Sequence, residues 1–174
     1  RLAPVVVHAG AGTDGSDVLA VNTGSSGMGE APLRVLTGSA AAAQLRVPAT
    51  VGLRGGDLAL VFQGNSDCLM EQVSSGFTGG ADQLLTFGGT YATSTQGTTT
   101  LASMGVSTPA YVAPVGNVTT NLPQFQLIGI GPNATLVSHD MLQLDGTDSV
   151  VALADGVADL RVRYGVDTND DGRI

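Results

Sequence analysis

The stretch Gly56-Asp-Leu-Ala-Leu-Val-Phe-Gln-Gly-Asn-Ser-Asp-Cys-Leu-Met-Glu-Gln-Val73 carries the clearest folding signal in this chain. Two mostly apolar runs, residues 58–63 and 68–74, lie on either side of Gly-Asn-Ser-Asp at residues 64–67. These four residue types dominate tight turns, and apolar runs of this length between turns are typical of strands. The stretch therefore predicts an antiparallel β-hairpin that pairs residues 58–63 with residues 68–74.

A second hairpin is predicted nearer the C-terminus. Residues 125–130 and 135–138 are apolar runs on either side of Gly131-Pro-Asn-Ala134. Proline suits the first central position of a β-turn, and asparagine tolerates the left-handed conformation at the next position. We expect these two runs to pair antiparallel as well.

Strands are also predicted near both ends of the sequence. Residues 4–8 and 17–23 read as two strands joined by the glycine-rich turn at residues 10–15. Near the C-terminus, apolar residues alternate with polar or small ones, at Leu160, Val162, Tyr164 and Val166. This period of two predicts a final strand with one buried face.

Helical signals are short. Residues 39–44 fit either one helical turn or a loop, and residues 153–159 allow one helical turn. Residues 24–31 and 91–100 are loops rich in Gly, Ser and Thr, with residues 93–100 expected to be solvated. The sequence therefore predicts an all-β to α+β fold, with residues 1–174 forming a single domain of antiparallel hairpins and long loops.

Composition and charge exclude several classes of function. At 174 residues and 43% hydrophobic content, the chain is long enough for one domain with a buried core. Its net charge of −8, with no basic stripe, would repel a phosphate backbone, so we expect no nucleic-acid partner. No run of residues approaches the ~20 apolar residues of a membrane span.

The sequence offers little for catalysis. Cys68 is the only cysteine, and His8 and His139 are the only histidines, so no set of nucleophile, base and orienting group is apparent. The glycine pattern at residues 10–15 resembles a dinucleotide fingerprint, but a strand rather than a helix is predicted after it. Ser138-His139-Asp140 juxtaposes the residue types of a triad, yet neighbours on a strand point to opposite faces. We expect a protein that is not an enzyme.

The acidic C-terminal segment is the one stretch that suggests a ligand. Asp167, Asn169 and Asp171 occupy the first, third and fifth positions of a calcium-loop pattern, and Gly172 supplies the turn at the sixth. The main-chain carbonyl of Arg173 would be the ligand at the seventh position. Either these residues bind Ca²⁺ or they form a solvated acidic turn; the sequence leaves both open.

Taken together, four segments resemble the PilW family, minor pilins of bacterial type IV pili. These are residues 4–20, the hairpin with its single Cys68, the hairpin from residue 123 to residue 136, and above all residues 155–172. The resemblance implies a pilin-like globular head that follows a long apolar N-terminal helix. It also implies other minor and major pilins as partners, and a place on the cell surface after assembly at the inner membrane and periplasm.

The same resemblance implies contact with the membrane only through the N-terminal helix, which is absent from these residues, so we expect a fragment of a longer chain. Three functions stay open. The first is a structural minor pilin for pilus assembly or for the pilus tip. The second, a J-type pseudopilin of type II secretion, is a variant of the first. The third is an adhesin-like or ligand-binding β-module on the cell surface, active in cell adhesion.

Overall fold

A computed structural model describes residues 3–25, 31–80, 83–143 and 149–165. Within these ranges the chain is all-β, because it consists mostly of antiparallel sheets with three short 3-10 turns. The strands are β1 Val5–His8, β2 Val18–Thr23, β3 Leu33–Arg34, β4 Gln44–Arg46, β5 Asp57–Gln63, β6 Leu69–Gln72, β7 Leu84–Thr86, β8 Thr95–Gln96, β9 Thr99–Thr100, β10 Ala110–Asn117, β11 Gln124–Ile130, β12 Leu136–Asp140 and β13 Val150–Ala154.

The chain forms two compact units. We call the first the middle unit, Thr23–Pro123, and the second the terminal unit, which combines Ala3–Asn22 with Gln124–Ile174. The prediction of a single domain over residues 1–174 stays a prediction, and each unit is described by itself.

The middle unit is built on a four-stranded sheet in the order β3-β10-β5-β6, accompanied by the two-stranded pairs β4-β7 and β8-β9. The predicted hairpin is confirmed, since β5 pairs antiparallel with β6 from Leu58 opposite Gln72 to Val61 opposite Leu69. One face of this sheet packs into an apolar core. The core residues are Val35, Leu45, Val47, Leu53, Ala59, Val61, Leu69, Val73, Leu85, Phe87, Leu101, Met104, Ala110 and Val112.

The terminal unit is a five-stranded sheet in the order β1-β2-β11-β12-β13. The second predicted hairpin is also confirmed, because β11 pairs antiparallel with β12 from Gln126 opposite Asp140 to Ile130 opposite Leu136. A 3-10 turn at Pro132–Ala134 joins the two strands, and Asn133 takes a left-handed φ of 58° there, as its place after Pro132 predicts. β1 and β2 match the two strands predicted at the start of the chain.

Two expectations are wrong in detail, and one alternative that the sequence left open is decided. Residues 153–159 contain no helical turn, because Leu153 and Ala154 end β13 and the following residues are irregular. Residues 39–44 adopt the loop alternative, in which a turn brings the Ala41 N–H to the Gln44 carbonyl at 2.8 Å. The loop at residues 93–100 is not wholly solvated, because Thr99 is buried.

The predicted final strand does not form over its described part, which ends at Gly165. Leu160 and Val162 are half-buried and the residues between them are exposed, so the alternation survives, but Tyr164 is 63% exposed. The reason is that this segment bonds to the side chain and main chain of Asp17 instead of to a neighbouring strand ladder.

Candidate functional site

The predicted calcium ligands Asp167, Asn169, Asp171 and Arg173 lie outside the described residues. Within the ranges that the structure does describe, no three His, Cys, Asp or Glu side chains converge as a metal site would require. The donor types in the C-terminal pattern are carboxylate, amide and carbonyl oxygens, which are the ligands that calcium prefers.

The residues just before the C-terminal pattern do form a defined site, which we call the clasp. It joins Ser16 and Asp17, at the start of β2, to residues 159–162. Ser16 is 1% and Asp17 6% exposed, so both polar side chains are buried where the two segments meet. The turn at Thr13–Gly15 ends just before them and positions the pair.

Asp17 is the centre of the clasp. Its Oδ1 accepts a hydrogen bond from the Gly10 N–H at 2.9 Å, and its Oδ2 accepts one from the Val162 N–H at 2.9 Å. Its own main-chain N–H donates to the Leu160 carbonyl at 2.9 Å. Asp17 therefore fastens the first hairpin to a segment that lies about 145 residues later in the sequence.

Arg161 and Asp159 complete the clasp at its surface. The Arg161 guanidinium donates to Asp159 Oδ2 at 2.9 Å and to the Gly15 carbonyl at 2.8 Å, and it lies 3.6 Å from Asp17 Oδ1. The Ser16 hydroxyl donates to Asp159 Oδ1 at 3.1 Å. These outer contacts are half exposed, so we expect them to contribute less than the buried Asp17 bonds.

The charged form of Asp17 is the favoured one. The Val162 and Gly10 N–H groups, aided by Arg161 and Arg163, hold the pKa of the Asp17 carboxyl below its ordinary value of 3.8, although burial opposes them. A carboxylate with a donor on each oxygen is the arrangement that stabilises the ionised state. The clasp is thus intact at neutral pH.

A second contact covers the outer edge of β1. The Tyr164 hydroxyl accepts a hydrogen bond from the Val7 N–H at 3.0 Å and donates to the Val5 carbonyl at 3.4 Å. β1 pairs with β2 on its other side. Open strand edges pair readily with other chains, so the tyrosine occupies groups that would otherwise be available for such pairing.

The opposite edge of the same sheet is apolar and exposed. β13 contains Val150, Val151 and Leu153, which are 54%, 55% and 52% exposed, and it carries no charged residue. An edge strand with these properties is a surface on which another protein can pack.

The residues considered for catalysis are divided between the two units. Cys68 lies in the middle unit, half-buried, while His8 and His139 belong to the terminal unit. Ser138 is buried and His139, its neighbour on β12, points to the other face, as expected for adjacent strand residues. After the glycine-rich turn the chain continues as β2, a strand rather than the helix that a dinucleotide needs.

Sequence reasoning missed two buried acids, Asp17 and Glu71. Asp17 looked like the polar start of a strand, and nothing local distinguishes it from Asp14, since its partners are distant in sequence. Glu71 had a visible signal: it shares the inward-facing positions of β6 with Leu69, and the adjoining Val73 continues that row. An acid in an apolar row of a strand indicates a buried carboxyl.

Comparisons with known proteins add no assignment: no family model matches the sequence, no curated protein matches it significantly, and no solved structure matches the fold significantly. Over the described residues, the structure contains no helix with the length and hydropathy needed to cross a membrane.

Proposed function

We propose that this chain is a structural subunit, a minor pilin that takes part in type IV pilus assembly or forms part of the pilus tip. The observation that carries the proposal is the clasp. Of the segments that resemble the PilW family, residues 4–20 and residues 155–172 carry the beginning and the end of the resemblance. Asp17 and Ser16 join these two segments through part-buried hydrogen bonds.

The geometry suits a subunit that transmits force. In the family, the strand at residues 4–20 follows the long helix that anchors the protein in the inner membrane before assembly. Here β1 is bonded along one side to β2, and on its other side Tyr164 bonds to Val5 and Val7. A pull on β1 therefore has to break several hydrogen bonds together, which is useful in a filament and unnecessary in a monomeric binding module.

The partners that we propose are other minor and major pilins, at the bacterial surface after a stage at the inner membrane and in the periplasm. The exposed apolar edge strand β13 favours packing against another protein. The same strand also supports the second candidate, an adhesin-like β-module, because an open edge and an apolar surface fit a ligand as well as a neighbouring subunit.

Deletion of the gene that encodes this chain, in the bacterium that carries it, distinguishes these functions. We expect fewer surface filaments by electron microscopy, with the number restored by the full-length wild-type protein. Loss of secreted proteins with filaments intact would indicate a J-type pseudopilin, and loss of adhesion alone would indicate the adhesin-like module. Unchanged filaments, secretion and adhesion would contradict all three.

A matched variant tests the absence of catalysis. The triple substitution His8→Ala, His139→Ala and Cys68→Ala removes the candidate nucleophile and bases, none of which takes part in the clasp. We expect it to restore filaments as well as the wild type does. Failure of a folded triple variant to restore filaments would point to a chemical role for one of these side chains.

We also propose that the C-terminal pattern binds Ca²⁺ in the full-length protein through Asp167, Asn169, Asp171 and the Arg173 carbonyl. Metal there would offset the repulsion among the acidic side chains close to the clasp in sequence. Calcium at about 100 times its dissociation constant would stabilise the fold by roughly 2.7 kcal/mol.

Thermal melting of the full-length protein with and without calcium measures this effect. The melting temperature should rise with calcium in the wild type and in an Asp155→Asn control. It should not rise in Asp167→Ala or Asp171→Ala. A wild-type melting temperature that ignores calcium would mean that the pattern is a solvated turn.

A further inference from the structure

Glu71 is a carboxyl placed in the apolar core of the middle unit. It follows Leu69 by two residues on β6, so the two side chains share one face, and Leu69 belongs to the core. Ala59 is its cross-strand neighbour on β5, and it is a core residue too. Glu71 itself is 0% exposed. A charged group is costly in such surroundings unless it is fully hydrogen-bonded.

The hydrogen bonding of Glu71 is incomplete. Its Oε1 accepts a bond from the Ser94 N–H at 2.8 Å. Its Oε2 is buried and has no hydrogen-bond partner within the described part of the chain. An ionised carboxylate can accept about four hydrogen bonds, so one donor leaves most of its lost hydration unreplaced.

The single donor belongs to residues 93–101, which we call the cover segment. Its first residue, Thr93, bonds through its N–H and its hydroxyl to the Met70 carbonyl on β6. At its other end Leu101 is fully buried in the core, and the Leu101 N–H donates to the Ser94 carbonyl at 2.9 Å. Ser94 also holds a left-handed φ of 51°, a conformation that a residue other than glycine adopts at some cost.

Among the described residues, no basic side chain compensates the charge of Glu71. The titratable groups on the described elements around it are Asp57 on the same face of β5, Asp67 and Cys68 just before β6, and Tyr91 just before the cover segment. The cover segment has no titratable residue itself, but the Asp67 carboxylate lies beside its Gly97. Asp57 is held elsewhere, by the Arg54 N–H and the Asn117 side-chain amide. Within the described part of the chain, burial and the Ser94 N–H are therefore the two influences on the charge state of Glu71.

These influences favour the neutral acid. Burial raises the pKa of the Glu71 carboxyl from 4.5 to about 7, and the Ser94 N–H offsets only part of that rise. When the cover segment opens and water reaches the carboxyl, the pKa returns towards its ordinary value. Opening is thus linked to proton release, and it becomes easier as the pH rises from 4.5 through about 7.

We propose that buried Glu71 is a proton-controlled latch for the cover segment: the closed arrangement is favoured while the carboxyl is neutral and loosens when it is ionised, because the single bond from the Ser94 N–H, although stronger to the ionised form, does not replace the hydration that the carboxylate regains on opening. The latch is independent of the proposed role in pili, because it rests only on contacts inside the middle unit. It would expose residues 93–101, rich in Ser and Thr, at neutral to alkaline pH and keep them closed in acid.

Amide hydrogen exchange of the wild-type protein at pH 5 and pH 8 tests the latch, after correction for the intrinsic pH dependence of exchange. Protection of the Ser94 and Leu101 amides should fall by at least about ten-fold at pH 8, since the opening equilibrium follows the proton linkage. The Val162 amide, bonded to Asp17 in the terminal unit, is the internal control and should keep its protection.

The matched variant is Glu71→Gln, which keeps the size of the side chain and removes the titration. Its Ser94 and Leu101 amides should be equally protected at both pH values. The same pH dependence in wild type and variant would overturn the proposal. If Glu71→Gln does not fold, direct NMR titration of the wild-type carboxyl decides: a midpoint near 7 that coincides with loss of Ser94 protection supports the latch, and a midpoint near 4.5 overturns it.

Discussion

In the middle unit fourteen buried apolar residues pack into one core, whereas the buried residues described in the terminal unit are Ala20, Leu142, Ser16, Asp17 and Ser138. The first unit is stabilised mainly by apolar burial, and the second by strand ladders and the polar clasp. Apolar burial does not itself titrate, so the pH dependence of each unit comes from its buried carboxyl groups, Glu71 in the middle unit and Asp17 in the terminal unit. The two units should therefore lose different amounts of stability when a side chain is truncated or when the pH is changed.

Each unit also contains a buried acid whose pKa departs from its ordinary value, Asp17 in the terminal unit and Glu71 in the middle unit, and these two acids behave in opposite ways. Asp17 has an N–H donor on each oxygen, and its pKa is lowered. Glu71 has one donor in total, and its pKa is raised. Both side chains are almost inaccessible to solvent. The comparison shows that the supply of donors, more than burial itself, decides which form of a buried acid is stable.

The largest effect is expected from a cavity in the middle unit. Leu85 on β7 is fully buried and lies opposite Leu45 on β4. Leu85→Ala should lower the free energy of unfolding by about 2–5 kcal/mol, because it removes apolar contacts and leaves a void. The matched variant in the terminal unit is Leu153→Ala, at a side chain that is 52% exposed, and it should cost less than about 1 kcal/mol.

Urea unfolding of both variants measures these values. Equal losses in Leu85→Ala and Leu153→Ala would contradict the contrast, because they would mean that β13 is as well packed as the core.

The next effect is the pH dependence of the middle unit. The pKa of Glu71 is about 7 in the folded chain and 4.5 in the unfolded chain, so stability is greatest below pH 4.5 and is lost as the pH rises through about 7. The full loss is about 3 kcal/mol. Urea unfolding at several pH values should show this fall in the wild type, and Glu71→Gln should remove it.

The stability that Asp17 contributes changes with pH in the opposite direction. Its pKa is lower in the folded chain than the ordinary value of 3.8, so its contribution is present above pH 3.8 and is lost as the pH falls below that value. A wild-type protein whose middle unit became more stable from pH 5 to pH 8 would be inconsistent with the buried, neutral Glu71.

The sequence predicted the hairpins well, because β5 and β6, like β11 and β12, are close in the chain and carry their own turn residues. It did not predict β10, which contains Pro114 and Gly116 and pairs with β5 across a register shift between these two residues. Proline within a strand signals an edge or a break. Pro114 is tolerated in β10 because β3 pairs only with Tyr111 and Val112 and so stops short of Pro114.

The clasp was beyond sequence reasoning for a related reason. The alternation at residues 160–164 predicts a strand correctly only if a neighbouring strand is available. Here the neighbour is the side chain of Asp17, whose partner Val162 lies 145 residues away. Local patterns record which residues face inward, as the half-buried Leu160 and Val162 show, but they do not record what those residues meet.

A smaller effect is expected from breaking the clasp. Asp17→Asn keeps the size of the side chain but presents an NH₂ group where either the Gly10 or the Val162 N–H now finds an oxygen. The segment at residues 159–165 should open more often, by roughly ten-fold or more. Limited trypsin digestion reports this opening directly, because Arg161 and Arg163 lie within the segment.

The control for this experiment is Asp155→Asn, which neutralises an exposed acid in the same region and leaves an amide oxygen that can still accept from the Thr135 hydroxyl. Cleavage after Arg161 and Arg163 should rise in Asp17→Asn alone, with cleavage at Arg34 and Arg46 unchanged. A rise of the same size in both variants would mean that the loss of one negative charge, rather than the loss of the Asp17 hydrogen bonds, opens the segment.

The smallest effect is expected at the edge of β1. Tyr164→Phe removes the hydroxyl that accepts from the Val7 N–H and donates to the Val5 carbonyl, while the ring remains. Because the side chain is 63% exposed, water replaces the lost bonds, and global stability should change by less than about 1 kcal/mol.

The local effect is larger: exchange of the Val7 amide should become several-fold faster, and the uncovered edge should make the protein more prone to self-association at high concentration. Tyr91→Phe in the middle unit is the control, since it removes a hydroxyl from a tyrosine that belongs to the other unit, and it should leave Val7 exchange unchanged. If Tyr164→Phe exchanges at the wild-type rate, the hydroxyl does not protect the strand, and the edge of β1 is as open as that of β13.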